Sequence, residues 1–170
     1  MAAPGRPRKC DPEIEDLWMD IEYKRNEKVK SILERLGVDA TDGDGRTALI
    51  NATMRNNAEI LKWVIAKGAD VNFQDRIGYS ALHFAAQNGA FDLAKILIEN
   101  GANVNIQDVH GNIPLWTAMF NSKLTVNNIT KLLLKHHSDT ELNNNYDKNC
   151  RFMYQTFFKG DISTVDLSDI

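Results

Sequence analysis

The sequence predicts an all-α solenoid: helix-loop-helix units stacked side by side and joined by hairpin fingers. Three full units lie between a helical N-terminal cap and a degenerate C-terminal cap. Three observations carry this. Gly45, Gly78 and Gly111 recur every 33 residues, and Gly68 and Gly101 keep the same interval. The text around the first set repeats as Gly45-Arg46-Thr47-Ala48-Leu49, Gly78-Tyr79-Ser80-Ala81-Leu82 and Gly111-Asn112-Ile113-Pro114-Leu115. A second phrase repeats as Gly68-Ala69-Asp70-Val71-Asn72 and Gly101-Ala102-Asn103-Val104-Asn105. Two phrases at two fixed phases mark one repeated supersecondary unit, which buries its apolar face only by stacking on its neighbours.

Taken in chain order, residues 1–11 read as a disordered basic leader: the first ten carry Arg6, Arg8 and Lys9 and no acid. Residues 12–41 read as a capping repeat. Ile14, Leu17, Trp18 and Ile21 follow i, i+3, i+4, i+7 in a helix over 14–24, and Val29, Ile32 and Leu33 do likewise over 27–36. Their outer faces are charged, as a terminal unit requires. Repeat 1 then spans 42–74, repeat 2 spans 75–107 and repeat 3 spans 108–143.

Repeat 2 shows the design. Ser80, like Thr47 before it, places a hydroxyl where the first N–H groups of a helix lack partners. A helix over 82–88 follows, with small Ala85 and Ala86 allowing close packing. After a loop at Gly89, a second helix over 92–100 turns Leu93, Ile96 and Leu97 to one face. Gly101 supplies the left-handed residue that ends it. Val104 and Ile106 lead into the next finger, at 108–111.

Repeat 3 departs from the pattern. Ile113 replaces the capping hydroxyl, although Pro114 suits the first helical position. His137 stands where the terminating glycine belongs, and three extra residues fall best in the loop 122–128. Beyond Tyr146 the pattern is expected to fail, with Asp147 in the finger-glycine place. Residues 144–170 are left as either a degenerate cap of two short helices or a frayed tail.

Composition narrows the class. With 43% apolar and 25% charged residues the chain is neither a disordered tail nor a membrane protein. Residues 1–10 lack a secretory apolar stretch, and no apolar run is long enough to span a bilayer. Two cysteines, Cys10 and Cys150, supply no disulfide framework, so a reducing, cytoplasmic setting and a monomer are expected. The net charge of −3 argues against a dedicated nucleic-acid binder. Seventeen asparagines fall mostly at repeat phases, in turns and loops where an amide can satisfy backbone groups.

The two phrases resemble the ankyrin repeat family over residues 37–146. Leu17-Trp18-Met19-Asp20-Ile21-Glu22-Tyr23-Lys24-Arg25 and Pro114-Leu115-Trp116-Thr117-Ala118 are similar to small stand-alone bacterial ankyrin proteins. That resemblance implies a non-enzymatic protein-binding module, and some relatives of that kind serve as immunity proteins that neutralise a toxin. It also implies that His83 bridges neighbouring fingers by hydrogen bonds. A different resemblance, of Gly5-Arg6-Pro7-Arg8-Lys9 to an AT-hook core, offers the alternative of a DNA-associated adaptor.

No site chemistry competes with binding. Asp42-Gly43-Asp44-Gly45 lacks the first and twelfth ligands of a calcium loop and sits in phase with the other fingers. His136 and His137 are adjacent and do not share a helix face. No activated Ser or Cys and no phosphate-binding loop is present, so neither an enzyme nor a cofactor or metal is expected. The resemblance places the binding surface on finger tips and the exposed face of the first helices. Repeat 1 contributes Arg46, Met54 and Arg55. Repeat 2 adds Arg76, Ile77, Tyr79, Gln87 and Asn88. Repeat 3 adds Val109, His110, Asn112, Phe120 and Asn121. Met, Tyr, Phe and Arg are types enriched at protein interfaces, and the arginines suggest an acidic partner surface. Trp116, in the histidine place of repeat 3, is expected to be packed with its indole edge at the groove.

Overall fold

The computed structural model describes residues 10–122 and 126–170. The basic leader through Lys9, and Lys123–Thr125 in the loop where the insertion is expected, lie outside the described residues. The elements are helical, with no strand among the described residues; the fingers are hairpin turns.

The cap opens at Asp11, whose carboxylate accepts from Glu13 N–H at 2.9 Å. Helix α1 (Pro12–Glu15) and helix α2 (Leu17–Glu22) are separated by Asp16 alone, where one continuous helix is expected from the sequence. Helix α3 (Asn26–Leu36) completes the cap. Pairs then follow at the repeat interval: α4 (Ala48–Met54) with α5 (Ala58–Ala66), α6 (Ala81–Asn88) with α7 (Phe91–Glu99), and α8 (Pro114–Asn121) with α9 (Asn128–Lys135). Helix α10 (Cys150–Met153) runs on into a π-turn over Tyr154–Phe158.

The helices form two layers. Helices α2, α4, α6 and α8 pack in sequence as one, and α3, α5, α7 and α9 as the other. Between them runs a single apolar seam containing Leu17, Leu49, Ile60, Leu82, Leu97, Leu115 and Leu133, all fully buried. Burial of this kind is the main source of stability, and each unit receives it from the units on either side. No helix of the described residues is long and apolar enough to cross a membrane.

Polar side chains close the helix ends and stitch units together. Thr47 Oγ1 accepts from Ile50 N–H at 3.4 Å, and Asn57 Oδ1 from Ile60 N–H at 3.2 Å. Asn127 and Asn149 cap α9 and α10 in the same way, each at 2.9 Å. Ile113 makes no such bond, but it is fully buried, so packing offsets the missing cap. Between units, Asn72 Oδ1 accepts from Asn103 N–H, and Asn105 Oδ1 from Asp139 N–H, both at 2.7 Å. The asparagine excess is thus largely a backbone-satisfying device written at unit boundaries.

Four fingers share one geometry. In each, the first side chain accepts two backbone N–H groups across the turn: Asp42 from Asp44 and Arg46, Asp75 from Ile77 and Tyr79, Asp108 from His110 and Asn112. The fourth is Asn144, accepting from Tyr146 and Lys148 at 3.0 and 3.1 Å. The finger pattern therefore extends through residue 148, past the Tyr146 limit expected from the sequence. Asp147 adopts the left-handed conformation of the finger glycines, with φ 54°.

His137 likewise keeps the left-handed conformation, with φ 63°, where Gly101 and Gly68 stand in the earlier units. An L-residue there carries roughly 1–2 kcal/mol of strain, partly offset in a glycine variant by unfolded-state entropy. His137→Gly is therefore expected to raise stability by about 0.5–1 kcal/mol, read as a higher urea midpoint at unchanged slope. A lower midpoint would show that the imidazole makes a stabilising contact outweighing the strain.

Candidate protein-binding groove

Residues along the first-helix layer and the fingers repeat at the unit interval, so each row reads one residue per unit. The row just beyond the finger glycine is Arg46, Tyr79 and Asn112, followed by Lys148. A second row is Ile50, His83, Trp116 and Phe152. Ile50 and His83 are fully buried, Trp116 is half-buried and Phe152 is exposed. The layer thus becomes more aromatic and more open from repeat 3 onward.

That change produces a cleft of about 220 Å³ between repeats 2 and 3, lined by Tyr79, Asn112, Trp116, Thr117, Phe120 and Asn121. Phe120 stands at its rim, 69% exposed. Tyr79 is held from behind, stacked on His83 at 4.9 Å and meeting Phe84 edge-on at 5.3 Å. Burial raises the Tyr79 phenol above its ordinary range, so it remains a neutral hydrogen-bond donor.

His83 supports this wall. Its Nε2 lies 3.1 Å from the carbonyl of Asn112, in the next finger, and its Nδ1 lies 3.2 Å from Ser80 N and 3.0 Å from the Ser80 hydroxyl. Ser80 N–H can only donate, so Nδ1 accepts and Nε2–H donates: a neutral imidazole whose tautomer follows from its partners. Burial holds it below the ordinary imidazole range, against the opposing pull of the Asn112 carbonyl and of Asp108 and Asp75. The bridge between fingers implied by the family resemblance is present in these distances.

The remaining site residues divide by what their side chains already do. Ile77 and Val109 project from fingers 2 and 3, 49% and 53% exposed. Arg76, Gln87 and His110 are exposed as well, and none has a side-chain hydrogen bond or ion pair among the described residues. Met54, in contrast, is half-buried against the core, so it contributes little to the surface expected of it. Asn88 donates to the carbonyl of Met54 at 3.3 Å, Asn121 to Thr117 at 2.9 Å, and the Asn112 amide lies between Asp108 and Asn144. These amides are structural first, with only their outer edges facing the groove.

Two arginines also differ from expectation. Arg46 contacts Asp44 at 2.9 Å and Asp75 at 3.5 Å, with its guanidinium 5.6 Å above the Phe84 ring. Arg55 contacts Glu22 at 2.6 Å and lies 4.9 Å above Trp18. Bidentate pairing with partner carboxylates, expected of these arginines, is pre-empted by the protein's own acids. The signal was in the sequence: residues one period apart face each other across units, and Glu22 precedes Arg55 by 33. Lys67–Glu34 repeats that interval at 3.2 Å.

Sequence reasoning missed Tyr146, 67% exposed at the tip of the fourth finger, and gave Trp116 only an edge. It also missed Phe152, over which Lys148 Nζ sits at 4.1 Å. Among the described residues no group of His, Cys, Asp or Glu is placed to hold a metal ion.

In comparison with known families, the model for ankyrin repeats, in three copies, matches residues 17–108. No curated protein matches the chain significantly. The matched span stops at the third finger, just before Ile113 and the longer loop. The helix pair and finger that follow continue the same architecture.

Proposed function

Since the chain belongs to the ankyrin repeat family, whose arrays generally serve as protein–protein interaction modules and typically not as enzymes, we propose that it binds a protein partner across the fingers and first helices, anchored at the cleft between Tyr79, Trp116 and Phe120. The observation that carries this is Phe120, a large aromatic held out into solvent beside an aromatic-walled cleft. Exposed aromatics grouped in this way favour a binding surface over a packing role. The groove is formed by helices and hydrogen-bonded turns that are already ordered, so little conformational entropy is lost on binding.

The test is a comparison of baits. Wild-type protein and Phe120→Ala are used to capture partners, with a substitution of exposed Lys62, on the second-helix layer, as control. Affinity for a captured partner is expected to fall at least tenfold with Phe120→Ala, or about 1.4 kcal/mol, with an unchanged melting temperature. Tyr79→Ala is the wrong probe, because its ring packs on His83 and Phe84 and its loss would also destabilise the fold; Tyr79→Phe is the clean one. A partner held equally by Phe120→Ala and wild type would remove the groove assignment.

Neutralisation of a toxin would be one case of this same reading, with the toxin as partner. The DNA-adaptor reading rests on Arg6, Arg8 and Lys9, outside the described residues. Salt-sensitive duplex binding, lost in the triple glutamine variant of those positions, would support it.

A further inference from the structure

The groove changes character along its length. At the aromatic end the walls of the cleft are rings and amides, and the finger cations Arg76 and Lys148 are in no ion pair among the described residues. At the cap end a second cleft, of about 240 Å³, lies between the cap, the first finger and α4. Its arginines do not set its sign. Glu15, Glu22, Asp42, Asp44 and Asp75 stand around Arg46 and Arg55, leaving three negative charges in excess. Asp42 and Asp75 are buried; Glu15, Glu22 and Asp44 are exposed, Glu22 and Asp44 beside Arg55 and Arg46, and Glu15 accepting from Gly43 N–H at 2.8 Å. Trp18 borders the same cleft, 37% exposed, its ring already holding one guanidinium.

Buried Phe84 lies between the two clefts. It touches one wall residue of each, with Arg46 above its ring and Tyr79 against its edge. The clefts are two units apart, about 20 Å at the usual 8–10 Å between packed helices. An extended segment covers that distance in about six residues.

We propose that the groove binds a protein segment with lysine or arginine side chains over the cap-end cleft and, about six residues away, one aromatic or large aliphatic anchor in the Tyr79–Trp116–Phe120 cleft. This rests on the groove reading above and adds to it the chemistry and polarity of the partner. Charge complementarity carries it. The cap end is net negative, and the exposed charge of finger 2 is the cation Arg76. The basic end of the segment is therefore directed to the cap, and an acidic flank is tolerated only beyond the anchor. An acidic partner lying along the whole groove meets a cap end whose acids outnumber its arginines.

The test uses four fluorescein-labelled twelve-residue peptides, each with one phenylalanine and either three lysines or three glutamates centred six residues before or after it. Binding to the full chain is measured by fluorescence anisotropy at low salt. One lysine peptide is expected to bind at least tenfold tighter than both glutamate peptides, and to weaken as salt rises. In Glu22→Gln/Asp44→Asn that preference is expected to fall at least fivefold, with the melting temperature unchanged. Phe120→Ala is expected to weaken all peptides alike. Glutamate peptides binding as tightly as lysine peptides, with both depending on Phe120, would overturn the proposed polarity and leave the groove reading standing. Binding of none, or binding indifferent to Phe120, would overturn both. A lysine preference that emerges only in the Arg6→Gln/Arg8→Gln/Lys9→Gln chain would overturn the outside partner, since the chain's own leader would then be the occupant.

Discussion

Gly78→Ala is expected to lower the stability of the array by about 3 kcal/mol, a large fraction of what a domain of this size has. Two terms combine. Gly78 has φ 77°, where an L-residue carries roughly 1–2 kcal/mol of strain. A Cβ there would also stand 2.7 Å from Val109 N and 2.9 Å from Asp108 Cα, both backbone atoms of the next finger. That backbone cannot retreat without loss. Val109 N–H donates to Ile77 O at 3.2 Å, and Asp108 N–H to Asn112 O at 3.0 Å. Overpacking against fixed atoms adds roughly 1–3 kcal/mol. Gly68→Ala is the control: it has φ 87° but nothing within 4 Å of the added carbon, so only the backbone strain is felt, about 1 kcal/mol. Urea titrations of both variants separate the terms. Equal losses would mean that finger stacking contributes nothing to the requirement for glycine.

The same geometry explains what the sequence could and could not reveal. A finger needs glycine for its left-handed turn and for the finger stacked upon it. A Cβ added at Gly111 would stand 2.9 Å from Asn144 Cα in the same way. Asp147 has no described finger above it, so the steric requirement lapses and only the turn remains. Its place in the pattern is then filled by a residue that tolerates positive φ, and the repeat reads as broken where the turn is intact. The helix pairs, the caps at Thr47 and Ser80 and the left-handed His137 were legible because each follows from local chemistry at a fixed phase. The groove was less legible, because a row of residues shows its type but not its commitments. Arg46 and Arg55 look like free cations in the sequence and are drawn to Asp75 and Glu22 in the fold. Phe120 and Met54 stand two units apart in one row, with Gln87 between them, yet of the two only Phe120 faces solvent, since repeat 3 opens around Trp116 while repeat 1 is closed by its neighbours.

Acid is expected to loosen the centre of the array through His83 before it titrates the carboxylates. The imidazole is fully buried, accepts at Nδ1 from Ser80 and donates at Nε2 to Asn112, so the folded state holds it neutral. Its folded pKa lies below the unfolded value of about 6.5. Above about 6.5 both states are neutral and the full stability is present. As pH falls through that value the unfolded chain takes up a proton that the folded chain refuses, and stability declines until the lower, folded pKa is reached. Each unit between the two is worth about 1.4 kcal/mol. His83→Gln keeps a polar group but does not titrate. At pH 7.5 it is expected to be less stable than wild type by about 1–3 kcal/mol, because the buried Ser80 donors lose their acceptor. On acidification to pH 5.5 the two stability curves should converge. His110, His136 and His137 are exposed and common to both proteins, so the difference between the curves isolates His83. Curves that stay parallel would show that the imidazole takes up its proton equally in the folded and unfolded chains, so that the bridge from Ser80 to Asn112 does not hold it neutral. Convergence also bears on binding, since Tyr79 stacks on this ring: a partner anchored in the cleft should then bind less tightly at pH 5.5 than at pH 7.5, and by less in His83→Gln.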